Sequence, residues 1–338
     1  MQKGNIFKYA TLLYNIMRNN ITILDNLDKK ILYYLDTNSR QSASKIAKKL
    51  HAHKNVINFR INRLIKRGII RQFVAMVSPS VLGLTPHKFY FQLQNFTEQR
   101  QKEIFDFVKT LPTYWSAKTS GRWDLIIGVL VKNFEELNIV KNKILNFLGE
   151  DIINKTSSIL IEAPHFYRNY LIEKSNLAIK YWIKNSQTKK IDELDSKILK
   201  ILSNNCRTPI IEIAKKTKVT VKTVIAHIKN LEKNKIIYDY RISLNLEKIG
   251  LKFFKCFISL KKSDSNEIKK FLQYCNNHKN IVHVIQCVGE WDLEPEFEIE
   301  SQEKFQETLT EIRNKFNNII RHIETLNILE EKTYICIP

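Results

Sequence analysis

The sequence predicts an α+β protein made of two fused copies of one unit. Each unit is a winged helix-turn-helix domain (three helices plus a wing) followed by a ferredoxin-like βαββαβ domain. Three observations predict this. A long segment recurs in one register further down the chain. The first part of each copy places its apolar residues at helical spacing in three short runs. The second part reads strand, helix, two strands, helix, strand.

The repeat comes first because it organises the rest. Leu27-Asp28-Lys29-Lys30-Ile31-Leu32 aligns with Leu194-Asp195-Ser196-Lys197-Ile198-Leu199. The register holds without a gap through Arg40/Arg207, Ile46-Ala47-Lys48-Lys49/Ile213-Ala214-Lys215-Lys216, Ile61/Ile228 and Gly83-Leu84/Gly250-Leu251. After one inserted residue, Gly121-Arg122-Trp123-Asp124-Leu125 meets Gly289-Glu290-Trp291-Asp292-Leu293. Accidental periodicity does not keep one register this long, so the chain is a duplication. The boundaries that follow are a helical extension over 1–21, helix-turn-helix domains over 22–78 and 191–246, and α+β domains over 85–164 and 252–338. Between the copies, 165–190 reads as a basic linker helix.

In the first copy, Leu27, Ile31, Leu32 and Leu35 form one helical face, and Asn38-Ser39-Arg40 a turn. A short second helix follows, capped near Ser42 or Ser44. The third helix turns Val56, Ile57, Ile61, Leu64 and Ile65 inward and ends at Gly68, a left-handed cap. Its other face carries Lys54, Asn55, Asn58, Asn62, Arg63 and Lys66. The second copy offers Lys222, Thr223, Ala226, His227, Lys229, Asn230 and Lys233 at the matching face, with Thr220 at the cap and His53 as its poorer counterpart. Ile70 to Val77, alternating and β-branched, reads as a short wing.

Those faces have the chemistry of a major-groove reader: Asn pairs with adenine, Arg with guanine, Lys with phosphate. The formal net charge of +21 points the same way, although lysine-rich composition alone weakens it. Distribution decides. Residues 22 to 75 carry about +9 and 192 to 241 about +5, whereas 255 to 338 sum to about −3. Double-stranded DNA is therefore the expected partner. No apolar stretch approaches the roughly 18 residues of a membrane helix. The five cysteines, all in the second half, form no metal-ligand spacing and read as thiols of a cytoplasmic protein.

These residues resemble the leucine-responsive/asparagine-operon (Lrp/AsnC) regulators. The likeness lies in Ile191-Asp192-Glu193-Leu194-Asp195, Ile198-Leu199-x-x-Leu202, Arg207, Glu212-Ile213-Ala214 and Val219-Thr220-x-x-Thr223-Val224. It continues in Arg60-Ile61-x-Arg63-Leu64 with Gly68-Ile69-Ile70, and in the two glycine-x-tryptophan-aspartate turns. The resemblance implies transcription regulation, further homo-oligomerisation, and a small effector such as an amino acid beside Gly121, Trp123 and Asp124 and beside Gly289, Trp291 and Asp292. The chain departs from the pattern in carrying two copies, in His227 and Lys235 where the helix arginine and glycine stand, and in Arg122 or Glu290 at the signature's second position.

Asp292, Glu294, Glu296, Glu298 and Glu300 alternate with Leu293, Pro295, Phe297 and Ile299, which lines carboxylates along one sheet face. That face is expected to be solvated or bridged to basic residues of the other copy, with a recess for a cation as the sharper alternative, and a bulge at Pro295. The chain has no phosphate loop, nucleophile elbow or zinc-protease motif, so the expectation is no enzyme, no metal and no cofactor. Two other readings stand beside regulation. One is a siroheme decarboxylase-like enzyme of similar fold, using His165, Arg168, His278 and His283; the other is an architectural chromatin-like protein.

Overall fold

A computed structural model describes residues 21–172, 177–262 and 264–333. All but the last residue of the 1–21 extension, and Cys336, lie outside the described residues. Cys206, Cys256, Cys275 and Cys287 are buried free thiols.

The helix-turn-helix of the first copy is α1 (Asn26–Thr37), α2 (Ala43–Leu50) and α3 (Lys54–Lys66), followed by β1 (Ile70–Val77). After the first α+β domain, the second copy repeats this as α6 (Glu193–Asn204), α7 (Ile210–Thr217), α8 (Val221–Lys233) and β7 (Ile237–Leu244). Local chemistry sets the ends. Asp25, Ser42 and Thr220 each accept a backbone N–H of the first turn they cap. Gly68 takes φ +68° after α3, and Lys235 adopts φ +59° at the matching place, a conformation that favours glycine.

The wing is a two-stranded ribbon shared between the copies, β1 pairing antiparallel with β7. Val74 faces Arg241, its own counterpart in the repeat, so an approximate two-fold axis passes between them. The same symmetry repeats at the turns. Ser39 N donates to Tyr240 O while Cys206 N donates to Phe73 O. The aligned Arg40 and Arg207 each donate across to the other copy's turn, at Cys206 O and Ser39 O. One apolar core runs through both helix-turn-helix units, from Ile31 and Leu64 to Leu199 and Leu231. The two helix-turn-helix units thus share one core and one ribbon.

The first α+β domain comprises β2 (Thr85–Leu93), α4 (Glu98–Val108), β3 (Thr113–Ser120), β4 (Leu125–Val131), α5 (Phe134–Leu148) and β5 (Ile152–His165). The second comprises β8 (Lys252–Leu260), α9 (Ser265–Asn277), β9 (Ile281–Val288), β10 (Leu293–Ile299), α10 (Gln302–Lys315) and β11 (Ile320–Thr333). Both have the expected βαββαβ order. Each last strand begins against its own copy and ends against the other: β5 pairs with β2 and then β9, β11 with β8 and then β3. Eight strands close in the order β2-β4-β3-β11-β8-β10-β9-β5, with β5 returning to β2. The result is a closed eight-stranded barrel.

The expected linker helix over 165–190 is corrected. The segment makes a turn at Asn169–Leu171 and the strand β6 (Lys180–Ile183), which extends the sheet beside β5. Aromatic and β-branched Tyr181, Trp182 and Ile183 favour a strand, and Phe166 and Tyr167 leave the sheet to enter two different cores.

Candidate nucleic-acid interface and barrel cavity

On α3, Lys54, Asn55, Asn62 and Lys66 are exposed and Asn58 is half-buried; on α8, Lys222, Lys229, Asn230 and Lys233 are exposed. Among the described residues the side chains of Lys54, Asn62, Lys66, Lys222, Lys229 and Lys233 have no partner, which leaves their charges and amides open to a ligand. Two expected base contacts are placed elsewhere. Arg63 Nη2 lies 2.7 Å from Asp28, which also receives Arg60, so this arginine pair clamps α3 to α1. In the second copy His227 Nδ1 sits 2.8 Å from Asp195 in the same role. With Asp192 these form the described group that brings ligand atoms within 4.8 Å, but Asp192 and Asp195 are already engaged as the capping box of α6. The Thr223 hydroxyl lies 2.8 Å from Thr220 within the cap.

Sequence reasoning placed Val56 and Ile65 inward and passed over Phe59. All three are exposed, Phe59 to 66%. The signal was available: Phe59 falls out of step with Ile57, Ile61 and Leu64, which are buried. An aromatic on a groove-facing helix suits the thymine methyl group. Its counterpart is Ala226, so the two helices present different faces.

The six turn residues expected to hold an effector lie at the joint of the barrel. Asp124 Oδ2 accepts Leu93 N at 2.8 Å and Asp292 Oδ2 accepts Leu260 N at 2.7 Å, each tying its turn to the end of the first strand of its own α+β domain. Trp123 and Trp291 are buried inside the barrel with Tyr90 and Phe257. A Cβ at Gly289 would lie 2.9 Å from Ser157 O of the other copy. At Gly121, with φ +142°, it would lie 2.9 Å from Leu326 Cδ1 and 3.1 Å from Thr325 O. Gly121→Ala is therefore expected to destabilise the chain by about 1–3 kcal/mol, read as a lower urea midpoint at unchanged m-value.

The carboxylates of β10 are neither solvated nor only bridged across copies. Glu294 is wholly buried, 2.7 Å from Lys88 Nζ of the first copy and 2.8 Å from Lys255 Nζ of its own. It also accepts the Tyr90 hydroxyl and, at 3.0 Å, Trp291 Nε1. Lys255 reaches Glu296 at 2.6 Å. Burial would raise both carboxyls, yet Lys255 and Lys88 hold Glu294 low, and Lys255 with the His283 hydrogen bond holds Glu296 low. Burial outweighs Glu294 at Lys88 and pushes it down to about 8. Pro295 faces Val284 of β9, and the register shift expected near it falls between Glu296 and Phe297.

Below this network the barrel opens into a cavity of about 450 Å³, roofed by the wing ribbon. His165 and His283 stack there with centroids 4.4 Å apart. Arg168 joins Glu298 at 2.8 Å and also pairs with Asp36 of α1, which Arg241 of the wing engages at 2.7 Å. Burial alone would raise Asp36, but the two arginines keep it ionised. Burial also lowers both histidines, which favours their neutral form in the fold. The signs agree. The unfolded chain takes up protons at these imidazoles below about pH 6.5, and at Asp36, Glu294 and Glu296 below about pH 4.5, while the folded chain does not. Stability is expected to fall in two stages as acid is added, which urea midpoints from pH 8 to 3 measure.

The winged helix-turn-helix DNA-binding family model matches residues 24–71 and 191–238. The HTH-type transcriptional regulator FL11 of Pyrococcus furiosus is 30% identical over 119 residues, 34% of this chain and 76% of its own. The HTH-type regulator PF1734 of the same organism is 34% identical over 103 residues, 30% of this chain and 68% of its own. Among solved structures, the siroheme decarboxylase NirDL superposes with a TM-score of 0.61 over 93% of this chain and 94% of that one, at 14% identity. That match overturns the expectation that rested on missing motifs: the whole two-copy fold is one an enzyme uses. No described helix is long and apolar enough to cross a membrane. Matched to the winged helix-turn-helix model in both copies and to these regulators in sequence, the chain belongs to the HTH-type, winged helix-turn-helix DNA-binding transcriptional regulators, as a tandem-duplicated member.

Proposed function

We propose that this regulator is sequence-specific, that its two third helices read the two halves of one operator, and that its barrel half senses a small molecule. The observation that carries the first part is the pairing of Val74 with Arg241. It relates α3 and α8 by an approximate two-fold axis, the symmetry of a helix-turn-helix dimer on a palindrome. Their unlike faces call for an imperfect palindrome. The second part is supported by the chain of contacts from cavity-lining Glu298 through Arg168 to Asp36 in α1. Any differential contact with a ligand there would bias the DNA-binding half. Fluorescence anisotropy on labelled duplexes tests the reading: binding should weaken steeply with salt, and specific sites should outlast random ones. Equal affinity for every duplex would favour an architectural protein.

A second reading, an enzyme acting on a tetrapyrrole as NirDL is named to do, has one observation in its favour. The cavity gathers His165, Arg168 and His283, although His278 lies elsewhere, beside Tyr274. The charges weigh against it. Arg168 and Arg241 are already committed to carboxylates, and Glu296, Glu298 and Glu331 face the same space. An absorbance change on mixing with iron-uroporphyrin III would favour the enzyme.

A further inference from the structure

We propose that the barrel cavity under the wing ribbon binds an organic cation, a protonated amine or guanidinium group carried on an apolar body. The proposal rests on the effector half of the reading above and supplies its ligand class. Three carboxylates line the cavity. Glu296 is paired with Lys255 and Glu298 with Arg168. Glu331 accepts Trp115 Nε1 at 2.9 Å and has no ion pair at contact distance among the described residues, Arg71 acting on it only from further away. Burial and the charges of Glu296 and Glu298 push its carboxyl up against the Trp115 hydrogen bond and Arg71, and a cation placed beside it would relieve that repulsion.

A second, independent observation points to a ligand rich in donors. His283 is 7% exposed, and its Nδ1 lies 3.2 Å from Glu296 Oε2. The carboxylate fixes the proton on Nδ1, so Nε2 presents a lone pair, and that buried atom has no partner. The buried Tyr114 hydroxyl on the same wall is also unsatisfied. Its ring occupies space that Gly128 leaves open, since a Cβ there would lie 2.6 Å from Tyr114 Cζ. Leaving such groups dry is costly, and an ammonium or guanidinium supplies the N–H donors that a carboxylate and an imidazole lone pair accept. Trp182 and Phe253 add aromatic surface to the same cavity, which suits an apolar body bearing a cation.

Calorimetry and tryptophan fluorescence on the full chain, without DNA, test this with three probes of like shape: phenethylammonium, 2-phenylethanol and 3-phenylpropionate. The ammonium should bind one per chain, at least tenfold tighter than the alcohol, with the carboxylate weakest. Glu331→Gln should lower ammonium affinity tenfold or more and leave the alcohol unchanged. Trp182→Leu, a substitution at the half-buried rim, should cost at least fivefold and guards against a folding defect in the first variant. No ammonium binding up to about 10 mM, no preference for the cation, or an unchanged affinity in Glu331→Gln would overturn the proposal, as would tighter binding of iron-uroporphyrin III. Because DNA is absent, these outcomes are separate from any failure to bind an operator.

Discussion

Alanine in place of Glu294 is expected to lower the folding stability by about 3–5 kcal/mol. The carboxylate is the shared counter-ion of Lys88 and Lys255, and none of the three side chains is more than 2% exposed. Lys255 keeps Glu296 when Glu294 is removed, but Lys88 is left as a buried ammonium with no anion at contact distance. The Tyr90 hydroxyl and Trp291 Nε1 lose their acceptor as well. The physical content is an uncompensated charge, so a second change discriminates. Lys88→Met added to Glu294→Ala should recover much of the loss, because apolar groups replace an ion pair without leaving a charge behind. Urea unfolding of the single and double variants measures both. A loss below about 1 kcal/mol in the single variant would contradict the network as described.

The largest functional effect is expected from the outward faces of the third helices. Alanine at Lys54, Asn62 and Lys66 together with Lys222, Lys229 and Lys233 should weaken binding to a preferred duplex by about a thousandfold or more near 100 mM salt. If the five lysines contact phosphates, the slope of log affinity against log salt should become shallower by about 4–5. These side chains have no intramolecular role among the described residues, so the folded state should be little changed. Arg63→Ala makes the contrasting case. It breaks a clamp onto Asp28, and its effect should appear in thermal stability before it appears in base preference.

Much of this architecture was legible because it is written twice. Two aligned glycine-x-tryptophan-aspartate turns and two basic third helices keep one register, and periodicity of 3.6 and 2 assigned nearly every element around them. What escaped was whatever depends on one copy meeting the other. Alternation over Ile70 to Val77 announces a strand but not its partner, so the ribbon shared with β7 read as a private wing. The strand β6 is only four residues long and owes its conformation to β5, so its basic, mixed sequence passed for a helix. Arg63 lies on the outer half of α3 by spacing, yet Asp28 captures it, a contact that needs the angle between two helices. The alternation from Asp292 to Glu300 showed that carboxylates share a face; that Lys88 and Lys255 meet Glu294 inside a closed barrel follows only from eight strands joining across copies.

Selection of preferred sites from a random duplex pool, run in parallel on the intact chain and on the Asn58→Ala/Phe59→Ala variant, bears most directly on the claim that two unlike helices on one symmetric scaffold read DNA. The account predicts an imperfect palindrome for the intact chain, with base preference relaxed in one half-site alone for the variant. Recovery of unselected sequence from the intact chain, or equal relaxation of both half-sites in the variant, would contradict it.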